Sequence, residues 1–335
     1  DVYKRQAYNN ASTDDTADDT YWGSRNRINQ TFEFKNEPGD DFHLTLTDTG
    51  ARYWGRDLST DSVFPFTDDI DGNRRDNWIN WSIGADEIAR GRPIYRSVGP
   101  GNTSPLAVGT GNDMTIYNNT ATFEYPLPDN VGVGDAIQYD SDNDGTIDSI
   151  CFIHRRNSSS SFTVKNAEGL DAAPTIAADQ LWSVYRAYVS IRYAEQGIEN
   201  TGIHDAVENF DPWVGGQDIT FETGNDKTWI IACYADGPDT MPVDIDGWTT
   251  VETHYLKIYA PVSPNEVGTP QRHEGVWDES RFYMEITDAT AITSTVANAR
   301  VEGLQIKLVG TASNVYGFSG ATDMLSETII TTVNT

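Results

Sequence analysis

Short runs rich in Val, Ile, Thr, Tyr and Phe, each broken by a cluster of Asn, Asp, Gly or Pro, recur along almost the whole chain. The runs carry the β-branched and aromatic side chains that fit a pleated surface, and the clusters between them supply turns. This punctuation predicts an all-β fold with many turns. One stretch departs from it. Trp182, Tyr185, Val189, Tyr193 and Ala194 recur mostly at spacings of three or four, which predicts one short amphipathic helix over residues 182–197.

With 335 residues, 38% hydrophobic and 11% aromatic, the chain can bury several cores and does not read as disordered. Its charge narrows the partners. Lys and Arg total 23 against 51 Asp and Glu, a formal net charge of −28. A field of that sign repels phosphate backbones and anionic lipid surfaces, so neither nucleic acid nor a membrane is an expected partner. No run of about 18 apolar residues is present to span a bilayer. Divalent cations are the natural counter-ions, and acidic surfaces also keep secreted proteins soluble. Cys151 and Cys233 both lie in apolar runs and read as buried free thiols, with a disulfide between them as the alternative, and neither has a metal-binding spacing.

Residues 1–6 are basic in an acidic surround and read as a scar or tail outside the fold. Residues 7–90 hold few strands and many polar turns. Residues 91–178 read as a small antiparallel β domain: 121–125 alternates as a strand, 135–139 and 149–154 flank an acidic turn as a hairpin, and 161–165 adds another strand. Residues 179–335 start with the predicted helix and continue through apolar runs at 229–235, 255–259 and 299–306.

Two of these stretches carry a resemblance. The string DFHLTLTDTGA, DIDGNRR and WSIGADE, in that order over residues 41–87, resembles the C-terminal end of secreted right-handed parallel β-helix proteins of the pectate-lyase-like type. Such relatives often place a Pro after the Arg, where this chain has Arg75 followed by Asp76. The helix and apolar runs of residues 179–335 are similar to the N-terminal cap and opening coils of the same architecture. The resemblance implies parallel β-helix-like segments at both ends, with closing coils placed before opening ones. That order suits a window cut from a tandem array, or subunits that complete one another end to end.

The sharpest chemical motif is acidic. Asp140, Asp142, Asp144 and Asp148 place carboxylates at positions 1, 3, 5 and 9 of a loop with Gly145 at position 6, the opening of an EF-hand-type calcium site. Position 12, where a bidentate Glu belongs, is Cys151, and strands flank the loop, so an acidic hairpin turn is the competing reading. Asp68, Asp69 and Asp71 form a second acidic turn that Arg74 and Arg75 can neutralise. His43, His154, His204, His254 and His273 are scattered without a zinc spacing, and no nucleotide-binding or nucleophile-elbow motif is present. Trp54, Trp213, Trp248 and Trp277 are candidates for stacking on sugars, against the commoner role of core packing. No catalytic residue is assigned. Parallel β-helix lyases carry their acidic and basic residues on middle coils, which this order of segments omits.

The expected function is therefore structural: a secreted or cell-surface protein that assembles head-to-tail with copies of itself into a filament or array, with calcium as a stabilising ion. A polysaccharide-binding adhesin or virion appendage is the alternative, and a carbohydrate-active enzyme ranks third.

Overall fold

A computed structural model of the chain describes residues 11–15, 26–45, 48–51, 54–56, 58, 59, 61, 69, 75, 81–84, 91–213, 215–220, 224–320 and 324–333. The chain divides into two compact units, Asp1–Ala89 and Arg90–Thr335. The break expected at residue 178 falls inside the second unit. The fold is mostly β, with parallel sheets, and no described helix is long and apolar enough to cross a membrane.

In the first unit, β1 (Phe34–Asn36) and β2 (Asp41–Leu44) form an antiparallel hairpin around a one-turn 3-10 segment, Glu37–Gly39. Leu44 and Ala51 make a small core with Phe32, Phe34 and Ile83. Buried Arg75 donates to the carbonyls of Ser82 (3.2 Å) and Gly84 (2.7 Å). The closing coils expected over residues 7–90 are not found among the described residues. Apart from a single parallel bridge between Ala11 and Arg27, the pairing there is the antiparallel hairpin. Asp68, Asp71 and Arg74 lie outside the described residues, as do residues 1–6 and much of the 41–87 string.

The second unit opens with β3 (Arg92–Val98). The chain then leaves to build a seven-stranded antiparallel sheet from β4 (Ala107–Val108), β5 (Met114–Tyr117), β6 (Thr120–Phe123), β7 (Ala136–Tyr139), β8 (Ser149–Arg156), β9 (Ser161–Lys165) and β10 (Trp182–Tyr185). The strand order is β4-β10-β7-β8-β9-β6-β5. Alternation sorts its two faces. On paired strands β7 and β8, Ala136 and Phe152 face the core shared with the parallel sheets, while Ile137, Cys151 and Ile153 face a second core with Met114, Phe162 and Trp182. Both cysteines are free and buried, Cys151 in this second core and Cys233 in the shared one.

The helix expected over residues 182–197 is much shorter. Its first turn is instead strand β10, paired with β4 and β7, and helix α1 spans Ile191–Gln196. Trp182 and Val184 point into the second core at strand spacing, so sheet pairing overrides the three-and-four spacing. Ser190 starts α1 by accepting from the Tyr193 amide at 3.0 Å, and Gly197 ends it at φ 66°, a left-handed angle glycine adopts without strain.

After α1 the chain follows a cyclic path through three parallel sheets. The first holds β3, β11 (Lys227–Cys233), β13 (Leu256–Tyr259), β16 (Ala299–Glu302) and β19 (Met324–Ser326); the second β14 (Met284–Thr287), β17 (Gln305–Val309) and β20 (Ile329–Val333); the third β12 (Val243–Ile245), β15 (Ile292–Ser294) and β18 (Phe318–Gly320). From β11 onward the order is first, second, third, first again, with a bridge from Asp239 to Met284 standing for the second sheet in the opening cycle. Register aligns like residues. Ile94, Trp229, Leu256 and Ala299 fall in one column, and Ile231, Ile258 and Val301 in another. All are buried, and they share one core with Met284, Ile306, Val243 and Ile292 of the other two sheets. β3 was expected in the small β domain; it is instead the first strand of the parallel system, joined to β11 over seven residue pairs.

Buried ion pairs tie the two sheet systems together. Arg96 Nε and Nη2 each donate to an Asp211 carboxylate oxygen at 2.7 Å, the guanidinium lies 3.7 Å from the Phe152 ring centre, and Tyr188 OH donates to the same carboxylate. Arg186 donates to Asp135 at 2.8 Å and makes two bonds of 2.9 Å to Asp236. Removing one member of such a pair leaves a buried charge unmatched, which costs about 3–5 kcal/mol. Asp211→Ala is accordingly expected to destabilise the full chain by about that amount in urea unfolding, and the apolar double variant Arg96→Met/Asp211→Leu to recover most of the loss.

Candidate metal centre

The β7–β8 hairpin presents the four aspartates of the acidic motif. Its ends are fixed by the ladder, with the Asp148 amide donating to the Tyr139 carbonyl at 3.2 Å and the Asp140 amide to the Leu181 carbonyl at 3.1 Å. Two left-handed residues, Asn143 (φ 60°) and Gly145 (φ 90°), bend the chain between them. Asp140 organises the turn. Its Oδ1 accepts from the Asn143 and Asp144 amides at 2.6 and 3.3 Å, and its Oδ2 from the Gly145 amide at 2.7 Å. Burial by itself would raise the Asp140 pKa, but the amides of Gly145, Asn143, Asp144 and Asp142 together outweigh it and lower it.

Asp140, Asp142 and Asp148 bring one carboxylate oxygen each within 4.8 Å of one another, Asp140 buried and the other two exposed. Asp144 does not join them. Its Oδ1 turns to the Thr146 amide at 2.9 Å and the Thr146 hydroxyl at 2.6 Å. Asp148 is also tied down, accepting from the Ser141 amide at 3.0 Å and its hydroxyl at 3.1 Å. Burial raises the Asp142 pKa, and the charge of Asp144 adds to it. Calcium takes six to eight oxygens, so three carboxylates supply part of a shell. Position 12 gives none, because Cys151 points into the second core. The donor set fits a hard cation held partly by water or backbone carbonyls.

The other sequence candidates go to separate places. Trp213, Trp229 and Trp248 pack on one another, with ring centres 4.5 to 6.0 Å apart, so the first and last of these serve the core. Trp277 packs edge-on against Tyr283 at 5.6 Å. Trp54 is 52% exposed, and the Arg27 guanidinium lies 3.9 Å from its ring centre. The histidines remain apart. His154 is buried and stacks edge-on against Tyr95, and burial drives its pKa down to about 3. Thr253 Oγ1, His254 and Asp226 line up at 2.8 and 2.8 Å, an order that resembles a nucleophile, a base and its orienting acid. Thr253 and His254 are both buried, and the same turn bonds to Gly91 and Thr228, so this line fastens a corner of the parallel system.

Sequence reasoning missed the buried polar groups. Arg96 and Asp211 are 115 positions apart, and no local pattern connects them. Glu195, buried on α1, was likewise hidden in a segment read as one long helix. No protein-family model, curated protein or solved structure matches the chain.

Asp140 is expected to be needed by the turn itself, since the turn's amides share its two oxygens. Asp140→Asn and Asp140→Ala should both lower the melting temperature in EGTA, the Ala variant more; unchanged melting would show that the turn holds without this carboxylate.

Proposed function

We propose that the parallel sheets of Arg90–Thr335 form a parallel β-helix, and that the role of the chain is architectural, in a secreted or cell-surface protein that pairs with copies of itself. The cyclic path through three sheets and the inward apolar columns support the solenoid reading. The observation that carries the functional reading is the apolar side chains exposed on the last described strands, set against the covered outer side of β3. At the first strand, β3, the outer side is occupied: the Ser97 amide donates to Gly134, the Tyr188 amide donates to Ser97, and the Gly99 amide donates to Tyr188, at 2.9 to 3.0 Å. Gly134 is fitted to this contact, since at φ 87° an added Cβ would lie 2.3 Å from the Arg96 carbonyl carbon. At the last strands, β18, β19 and β20 each pair with one neighbour only among the described residues.

An unpaired strand edge is a template for another strand. Here it also carries Leu325, Ile330 and Val333 at 42, 46 and 41% exposure. A second copy offers matching strands. Because β3 is covered, the proposed contact joins two copies through the exposed Leu325, Ile330 and Val333 rather than through β3. Calcium at Asp140, Asp142 and Asp148 is the ion proposed to stiffen the hairpin: the melting temperature of the parent should be higher in calcium than in EGTA, and that increment should vanish in Asp140→Asn.

Sedimentation velocity over a concentration series tests the pairing. The parent should self-associate, and Leu325→Lys combined with Ile330→Lys should raise the dissociation constant at least about tenfold, the equivalent of 1.4 kcal/mol. A parent that stays monomeric over the whole series would end the self-assembly reading and leave the solenoid fold untouched.

A further inference from the structure

Helix α1 lies against β12, β11 and β3, with Ile191 and Ala194 in the shared core. Glu195 sits on the same helix and is 3% exposed. Burying a carboxylate normally requires a cation or several donors. Glu195 has the Trp248 indole, which donates to its Oε1 at 3.3 Å, and the Asp246 amide. The charged groups nearest to it in effect are Asp244 of β12 and Asp246 just after that strand, both of its own sign. The cations on the strands packed against α1 are spent elsewhere or pair with nothing near it: Arg96 of β3 is bound to Asp211, Lys227 of β11 to Glu168 at 2.7 Å, and Arg92 of β3 makes no bond to Glu195. Arg192, on α1 itself, is exposed. The remaining acid facing the helix is Asp239, whose Oδ2 accepts from the Ile191 amide at 2.8 Å and whose Oδ1 accepts from Met241 at 3.1 Å.

We propose that docking of α1 onto β12 is coupled to proton uptake by Glu195, so that acid tightens this end of the parallel core and alkali loosens it. A protonated Glu195 keeps the indole bond and loses its repulsion from Asp244 and Asp246. Burial, with those two charges adding, lifts its pKa from 4.5 to about 7. Asp239 is raised by burial to about 6, opposed by the amides it accepts from. For both groups the docked form binds the proton more tightly than the undocked form. Their contribution is therefore full below the undocked value, and for Glu195 it is lost as pH rises through about 7. The inference does not depend on self-association, because it concerns the opposite end of the parallel system from β18–β20.

Amide hydrogen exchange over Ile191–Gln196 in the full chain, corrected at each pH for the intrinsic rate, reads the local opening directly. The opening constant should rise with pH between about 6 and 7, with a slope approaching tenfold per unit for one linked proton. Glu195→Gln should reduce that slope to the smaller share of Asp239, which fades as pH rises past its own value of about 6. Glu252→Gln removes the same charge from an exposed position and should leave the slope intact. An unchanged slope in Glu195→Gln, or none in the parent, overturns the proposal. Should the variant not fold, carboxyl-carbon NMR of the glutamate-labelled parent decides the matter: one glutamate titrating near 7 supports the linkage, and all of them titrating in the ordinary range refutes it.

Discussion

The pairing of β3 with β11 is the constraint on which the second unit depends. Seven residue pairs join the two strands, and the whole of residues 99–226 lies between them. Closing so long a loop carries an entropic cost that grows only slowly with its length, but no local contact offsets it in advance. The compensation comes from groups that the closure buries together. Ile94 stacks on Trp229, the Arg96 guanidinium reaches Asp211 from the intervening segment, and Phe152 of the antiparallel sheet lies against that guanidinium. Arg186 repeats the device one step further on, with Asp135 before it in sequence and Asp236 after β11. Without these contacts the antiparallel sheet would be a separate body joined by two linkers. With them it belongs to the same unit as the parallel strands.

This explains why some parts were legible in the sequence and others were not. Residues 229–233 form a continuous apolar run, as a strand buried on both faces should, and β11 is buried throughout. The acidic hairpin was legible because its turn chemistry is local: Asn143 and Gly145 supply the bend, and the flanking runs alternate. β3 was misplaced for the converse reason. Its inward face includes Arg96, which reads as a surface residue until Asp211 is brought to it from 115 positions away. The helix was drawn too long because Trp182, Tyr185 and Val189 match a helical spacing by chance. Ser190 and Gly197, the residues that bound α1, were the better signal. At the candidate metal centre, sequence spacing placed four aspartates on one loop. It could not show that Asp144 would turn to Thr146 and leave three.

The charge of the chain takes on a different meaning once its few cations are located. Composition alone suggests 23 positive groups set against 51 negative ones over a common surface. In the second unit, Arg96 and Arg186 are fully buried and Lys227 nearly so, each committed to carboxylates. Their charge is spent against carboxylates that hold the sheets together, so these cations are not offered on the outer faces. Glu195 is buried beside Asp244 and Asp246 with an indole for a partner, and the buried cations of the neighbouring strands, Arg96 and Lys227, are already bound to other carboxylates. Where a protein has cations to spare, a buried acid is matched by a salt bridge and becomes indifferent to pH across the neutral range. Where they are already committed, a proton is the remaining way to neutralise it, and the shortage of Lys and Arg in the sequence becomes a sensitivity to acidity at one helix of the fold.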